Sequence, residues 1–165
     1  MTGTGEPAAH PAIAPVAWLL GTWRGEGQGS FPTIQPFSYG EELRFWHVGK
    51  PFVAFSQRTW ALDDGRPLHA ESGYWRPQPD GSVELVLAEP SGFASIYQGR
   101  ASEGRIELVT ATIASAPTAK EVTEVVRTYE LREDGLLAFT MAMAAVGVPR
   151  THHLAAELRR VPHAG

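Results

Sequence analysis

Cysteine is missing from all 165 residues, so the chain has no disulfide frame, thiolate ligand or cysteine nucleophile. Any metal must be held by His, Asp, Glu, Tyr or Met. Long apolar runs are missing too: near the N-terminus the longest is Val16-Ala-Trp-Leu-Leu20, far too short for a signal-peptide core or a membrane span. No run of Lys or Arg occurs, charges of both signs are interleaved, and the net charge is -4, which gives no electrostatic footprint for a phosphate backbone. These absences lead us to expect a soluble, cytoplasmic protein with no nucleic-acid or membrane partner. After Leu20 no twelve-residue stretch has convincing helical periodicity, which argues against α/β folds with crossover helices. Gly-x-Ser-x-Gly is absent, as are His-x-His and His-Glu-x-x-His, so neither a serine hydrolase nor a zinc site is indicated.

What the chain does contain is β-branched and aromatic residues in short segments separated by turn chemistry. Residues 1–15, rich in Gly, Ala and Pro, read as a disordered lead-in, 16–162 as one domain, and 163–165 as a frayed tail. Residues 16–20 suit one or two short helical turns that plug one end of a barrel. Ten strands are expected, at 22–29, 37–48, 52–60, 68–76, 82–88, 93–101, 105–114, 121–132, 136–145 and 151–161. Asp64-Gly65, Asp80-Gly81, Glu103-Gly104 and Asp134-Gly135 are hairpin signals, because Gly takes the positive φ that primed turns require. Val83, Leu85 and Leu87 share one face, as do Leu137, Phe139, Met141 and Met143. One apolar face per strand is what closing a sheet on itself demands, so the fold class is all-β, an antiparallel up-and-down barrel.

Three constellations could carry chemistry. In Gly21-Thr-Trp-Arg-Gly-Glu-Gly27 a Trp sits among glycines on the opening strand. The plain reading is a kinked strand with Trp23 as core filler; the functional reading is close approach of a flat ligand to the backbone. In Pro149-Arg-Thr-His-His-Leu154 the two adjacent histidines point to opposite faces, so at most one looks inward unless a bulge intervenes. A turn at Gly147-Val148 places Met143 opposite His153, Met141 opposite Ala155 and Phe139 opposite Glu157. Imidazole beside methionine and aromatic surface suits a large apolar cofactor whose iron takes a neutral nitrogen. Against that pairing, Leu154, Ala156 and Leu158 form the more apolar face and would turn His152 inward. Either a bulge shifts the register near 151–153, or that face packs outside against a second subunit. Third, His69 and Glu71 share a face and suit a hydrogen-bonded pair or proton-transfer dyad; alternatively Glu71 pairs with an arginine at the rim.

Six segments in order, Gly21-Thr-Trp-Arg-Gly-Glu-Gly27, Phe31-Pro-Thr33, His47-Val-Gly-Lys-Pro51, His69-Ala-Glu-Ser-Gly73, Ala119-Lys-Glu121 and Thr151-His-His-Leu154, resemble the nitrobindin family over 19–160. The resemblance implies a ten-stranded barrel, similar to lipocalins and fatty-acid-binding proteins, that holds ferric haem b, isomerises peroxynitrite to nitrate and binds nitric oxide. It implies His153 as axial and catalytic ligand, Thr33 close to the haem, Lys120 as partner of a propionate, and His69 and Met143 lining the pocket. It also associates Gly21, Trp23, Gly25 and Gly27 with the cofactor. The distal side is expected to be apolar packing without a dedicated acid or base. The alternative function, from a different class, is a non-catalytic carrier of a fatty acid or other hydrophobic molecule, with Arg58 or Arg127 inside to meet a carboxylate. An apolar outer face on the last strand would suit a homodimer.

Overall fold

The computed structural model describes residues 5–162. Ten antiparallel strands close into one barrel in chain order, with the first strand pairing both the second and the last. They are β1 (Gly21–Phe31), β2 (Ile34–Trp46), β3 (Val53–Ala61), β4 (Pro67–Pro77), β5 (Ser82–Glu89), β6 (Phe93–Ser102), β7 (Arg105–Ser115), β8 (Val122–Leu131), β9 (Leu137–Ala145) and β10 (Val148–Arg160). Each strand runs longer than, or within a few residues of, the segment expected from its pattern. The wall is built by alternation: Val83, Leu85 and Leu87 are buried, as are Leu43 and Phe45, while their chain neighbours face outward.

The two ends differ. At one end a 3₁₀ helix, Pro11–Leu19, packs Ile13, Val16 and Leu19 into the barrel, and Trp23 donates from Nε1 to the Leu19 carbonyl at 2.7 Å. This corrects the expected lead-in, whose last residues, 11–15, belong to the helix; Pro15 inside it removes a backbone donor and so discourages a regular α-helix. The expected tail at 163–165 and the first four residues lie outside the described ones. Above the plug lies an aromatic layer of Phe45, Phe55, Trp75, Tyr129 and Phe139, with neighbouring ring centroids 5.0 to 6.5 Å apart. Along β9 burial then decreases towards the other end: Leu137 and Phe139 are buried, Met141 and Met143 only half-buried. That end is the open mouth.

At the mouth, β9 turns into β10 through Val146 (φ 47°) and Gly147 (φ 77°), a pair of left-handed residues that makes a tight hairpin. The turn is centred one residue earlier than Gly147-Val148, and this changes the register. Met143 pairs with Thr151 rather than His153, Leu154 with Met141, and Ala156 with Phe139. Two irregularities, between Val148 and Thr151 and between His152 and Leu154, carry the shift.

Candidate functional site

The second irregularity on β10 decides the question of the two histidines. His152 lies opposite Ala142 and is exposed, whereas His153 is the extra, unpaired residue of a bulge. A bulge lets two successive side chains turn to the same side. His153 and Leu154 therefore both face the interior, and Leu154, Ala156 and Leu158 form the inner surface of β10. That inward placement removes the motive for a homodimer through this face.

The ring of His153 is half-buried. Its centroid is 5.6 Å from that of Phe31 and 6.4 Å from that of Phe37, both in edge-on arrangements. Nδ1 lies 3.0 Å from the carbonyl oxygen of Ser30. A carbonyl can only accept, so Nδ1 carries the proton and Nε2 keeps a free lone pair. The pairing of β1 with β10 ends at Gly29 opposite Leu154, which leaves the Ser30 carbonyl available for this bond. Burial holds the His153 pKa below its ordinary value, opposed by the Ser30 bond, so the neutral, ligating form predominates at neutral pH. Oriented imidazole, free Nε2 and a surround of Phe31, Phe37, Met141, Met143 and Leu154 fit a planar apolar group carrying a metal.

The other expected site residues divide by position. Thr33 is exposed in the β1–β2 turn, two residues beyond Phe31, and Lys120 is exposed on the β7–β8 connection; both belong to the open end, where they could meet polar substituents of a bound group. Met143 faces inward beside Thr151, two positions from the partner expected for it. The Gly-rich motif does not line the mouth. Trp23 is buried at the plugged end with Arg160 stacked over it at 4.2 Å, and Gly21 lies beside the same arginine. At Gly25 a Cβ would stand 1.9 Å from the Glu157 carbonyl oxygen, and at Gly27 it would stand 2.5 Å from the ring of Tyr39. These two glycines let β10 and Tyr39 approach, which is a packing role.

Between mouth and plug lies a polar layer that the sequence reading did not identify as such. Arg127 is 2% exposed and Glu71 4%. They form a two-pronged ion pair, with Nη1 donating to Oε1 and Nη2 to Oε2 at 2.8 Å. Burial pushes the Glu71 carboxyl up, but Arg127 and the neighbouring His69 outweigh it and hold the pKa at about 2. Glu41, fully buried, accepts from Gln57 at Oε1, and its Oε2 has no partner among the described residues. Burial raises its pKa to about 8, so it carries a proton at neutral pH. Parity was the available signal, since Glu41 alternates with Leu43 and Phe45. His69 stands on the mouth side of this layer, Nε2 3.4 Å from Glu71 Oε2 and 3.8 Å from Glu89 Oε2. The expected His69–Glu71 pair is therefore present, and the arginine partner of Glu71 is interior rather than at the rim. The wall of the mouth is not purely apolar.

The model of the THAP4-like, heme-binding β-barrel domain family matches residues 12–160. The chain belongs to that family. Among curated relatives, a peroxynitrite isomerase of Streptomyces griseus is 50% identical over 159 residues, covering 93% of this chain and 86% of the relative. A protein named peroxynitrite isomerase 2 from Mycobacterium marinum is 52% identical over 155 residues, covering 92% and 96%. The crystal structure of Rv2717c from M. tuberculosis superposes with a TM-score of 0.86 at 48% identity and covers 94% of this chain and all of that one. Membership of a haem-binding barrel family agrees with a mouth built around an imidazole with a free Nε2.

Proposed function

We propose that this chain holds ferric haem b at the open end of the barrel, with His153 as axial ligand, and isomerises peroxynitrite to nitrate there, and that the same site binds nitric oxide. The observation that carries the reading is the bulged His153, its Nδ1 proton committed to the Ser30 carbonyl and its Nε2 free within an apolar surround. The activity follows the names of relatives that are about half identical over nearly the whole chain. Haem, when bound, supplies the iron centre at which peroxynitrite rearranges to nitrate, a conversion between isomers that needs no co-substrate.

The residues of this chain have three tasks. Ser30 orients His153 and fixes its tautomer through the Nδ1 bond. Phe31, Phe37, Met141, Met143 and Leu154 supply an apolar surface that covers a flat ring and limits water around it. Thr33 and Lys120 lie exposed on connections at the open end, and Lys120 would offer a cation to a propionate there.

The carrier alternative is the weaker of the two. Arg58 points outward and pairs with Glu42 at 2.9 Å, and the charge of Arg127 is already met by the Glu71 carboxylate through both Nη atoms, so neither guanidinium expected of a fatty-acid site offers an uncompensated charge to a ligand carboxylate. The test is a haem titration of the purified protein followed at the Soret band. Wild type should saturate at one haem per chain, His153→Ala should lose the band or give a heterogeneous one, and His152→Ala should behave as wild type, with a stability change within about 0.5 kcal/mol. Loss of binding in His152→Ala with a normal spectrum in His153→Ala would move the ligand by one residue.

A further inference from the structure

We propose that His69 is the anion-receiving group of the mouth, a cation held on the wall facing His153 that donates a hydrogen bond from Nδ1 to the anionic substrate. This rests on the haem reading for its setting but not for its geometry. In the ten-strand circuit β4 is four strands from β10 by one route and six by the other, so the two histidines stand on facing walls. Both lie near the open ends of their strands. His69 shares its face with Glu71, which is interior, and so looks into the barrel rather than out of it.

The ring is anchored on one side only. Nε2 faces Glu71 Oε2 and Glu89 Oε2, and Glu71 is itself clamped by Arg127. Nδ1 has no hydrogen-bond partner among the described residues, so it is the atom left for a ligand. The charges around the ring come from Glu71 on its own strand, Glu89 on β5, Arg127 on β8 and His153 on β10. Glu71 and Arg127 neutralise each other. The hydrogen bond to Glu71 draws the His69 pKa above its ordinary value, against burial, which favours the imidazolium. Both carboxylates lie on the Nε2 side, so the positive edge is the Nδ1 edge. A charged His69 also disfavours protonation of His153, keeping the facing ring neutral.

The arrangement answers a need of the proposed reaction. Peroxynitrite and nitrate are both anions, and a mouth lined only by Phe, Met and Leu side chains would repel either by its cost of desolvation. A cation pinned by buried partners gives attraction without a mobile side chain.

The experiment is azide binding to the haem-loaded protein, followed at the Soret band between about pH 6 and 9, with His69→Gln and His69→Lys beside wild type. In wild type the affinity should fall as pH rises through the titration of His69. His69→Gln, compared with wild type at full haem occupancy, should bind azide about tenfold more weakly at the acid end and lose that pH dependence, as expected for removal of one charge-assisted hydrogen bond. His69→Lys should restore affinity with a flat profile. Superposable azide profiles for wild type and His69→Gln would overturn the proposal. A wild type that never develops a Soret band overturns the haem reading instead. The haem-free protein then decides about His69 by NMR: added nitrate should shift the His69 ring resonances and raise its titration midpoint, and a ring that nitrate leaves unmoved overturns the anion role as well.

Discussion

Arg127 and Glu71 show what a charged pair does inside a barrel whose walls are otherwise apolar. Each guanidinium and carboxylate loses its hydration on burial, and the two-pronged contact compensates only while both partners are present. Arg127→Leu strips the buried Glu71 of its two-pronged partner and leaves only His69 beside it, and should cost about 3–5 kcal/mol in urea unfolding of the haem-free protein. The double change Arg127→Leu with Glu71→Leu should recover a large part of that loss, because no stranded charge remains. A double variant as unstable as the single one would show that the pair is not the unit of stability. The pair was only half legible in the sequence. Alternation places Glu71 and Arg127 inside, but their meeting across the barrel depends on strand order and stagger, which local patterns do not carry. The two histidines were less legible still, since simple alternation divides them and only a bulge can put His153 and Leu154 on the same face.

At the scale of elements, the ten strands could be read from β-branched alternation and Gly-containing turns, and they stand close to where those patterns put them. What failed was register on β10. The reason is the Val146–Gly147 turn: Val at positive φ is disfavoured, so the sequence points to Gly147-Val148 as the turn centre, whereas the hairpin closes one residue earlier. The following bulges then bring the apolar residues of β10 back to the inner face. The N-terminal 3₁₀ helix was also misplaced at its start, because Pro and Ala near residues 11–15 resemble a flexible lead-in while Ile13 acts as a core anchor. That helix closes the end of the barrel opposite His153. Ile13→Ala and Leu19→Ala should each destabilise by about 2–5 kcal/mol, the usual result of emptying a buried aliphatic site, yet leave haem affinity unchanged. A tenfold loss of haem affinity in either variant, measured well below the unfolding transition, would show that plug and mouth are coupled (about 1.4 kcal/mol).

For the molecule as a whole, the polar layer sets how stability depends on pH. Glu41 binds its proton more tightly in the folded protein, with a pKa of about 8 against an ordinary 4.5, because burial disfavours the carboxylate. The folded state therefore holds a proton that the unfolded chain has released, and stability declines as pH rises from about 4.5 to about 8. His69, whose pKa is also raised, adds to the decline above its ordinary value of 6.5. Glu71 acts in the opposite sense: its pKa of about 2 lies below the ordinary 4.5, so its contribution is complete above 4.5 and is lost as pH falls towards 2. The haem-free barrel should thus be most stable near pH 5, between the two arms. Each unit of displacement is worth about 1.4 kcal/mol, so raising the pH to 7 removes on the order of 3 kcal/mol through Glu41. Glu41→Gln keeps the shape and the acceptor for Gln57 but cannot ionise. Urea midpoints measured at several pH values should show the decline above pH 5 for wild type and a much shallower one for Glu41→Gln, while both lose stability together in acid through Glu71. Parallel curves above pH 5 would mean that Glu41 is not the group holding the proton, and that a donor or a water meets Oε2 and keeps the carboxylate charged.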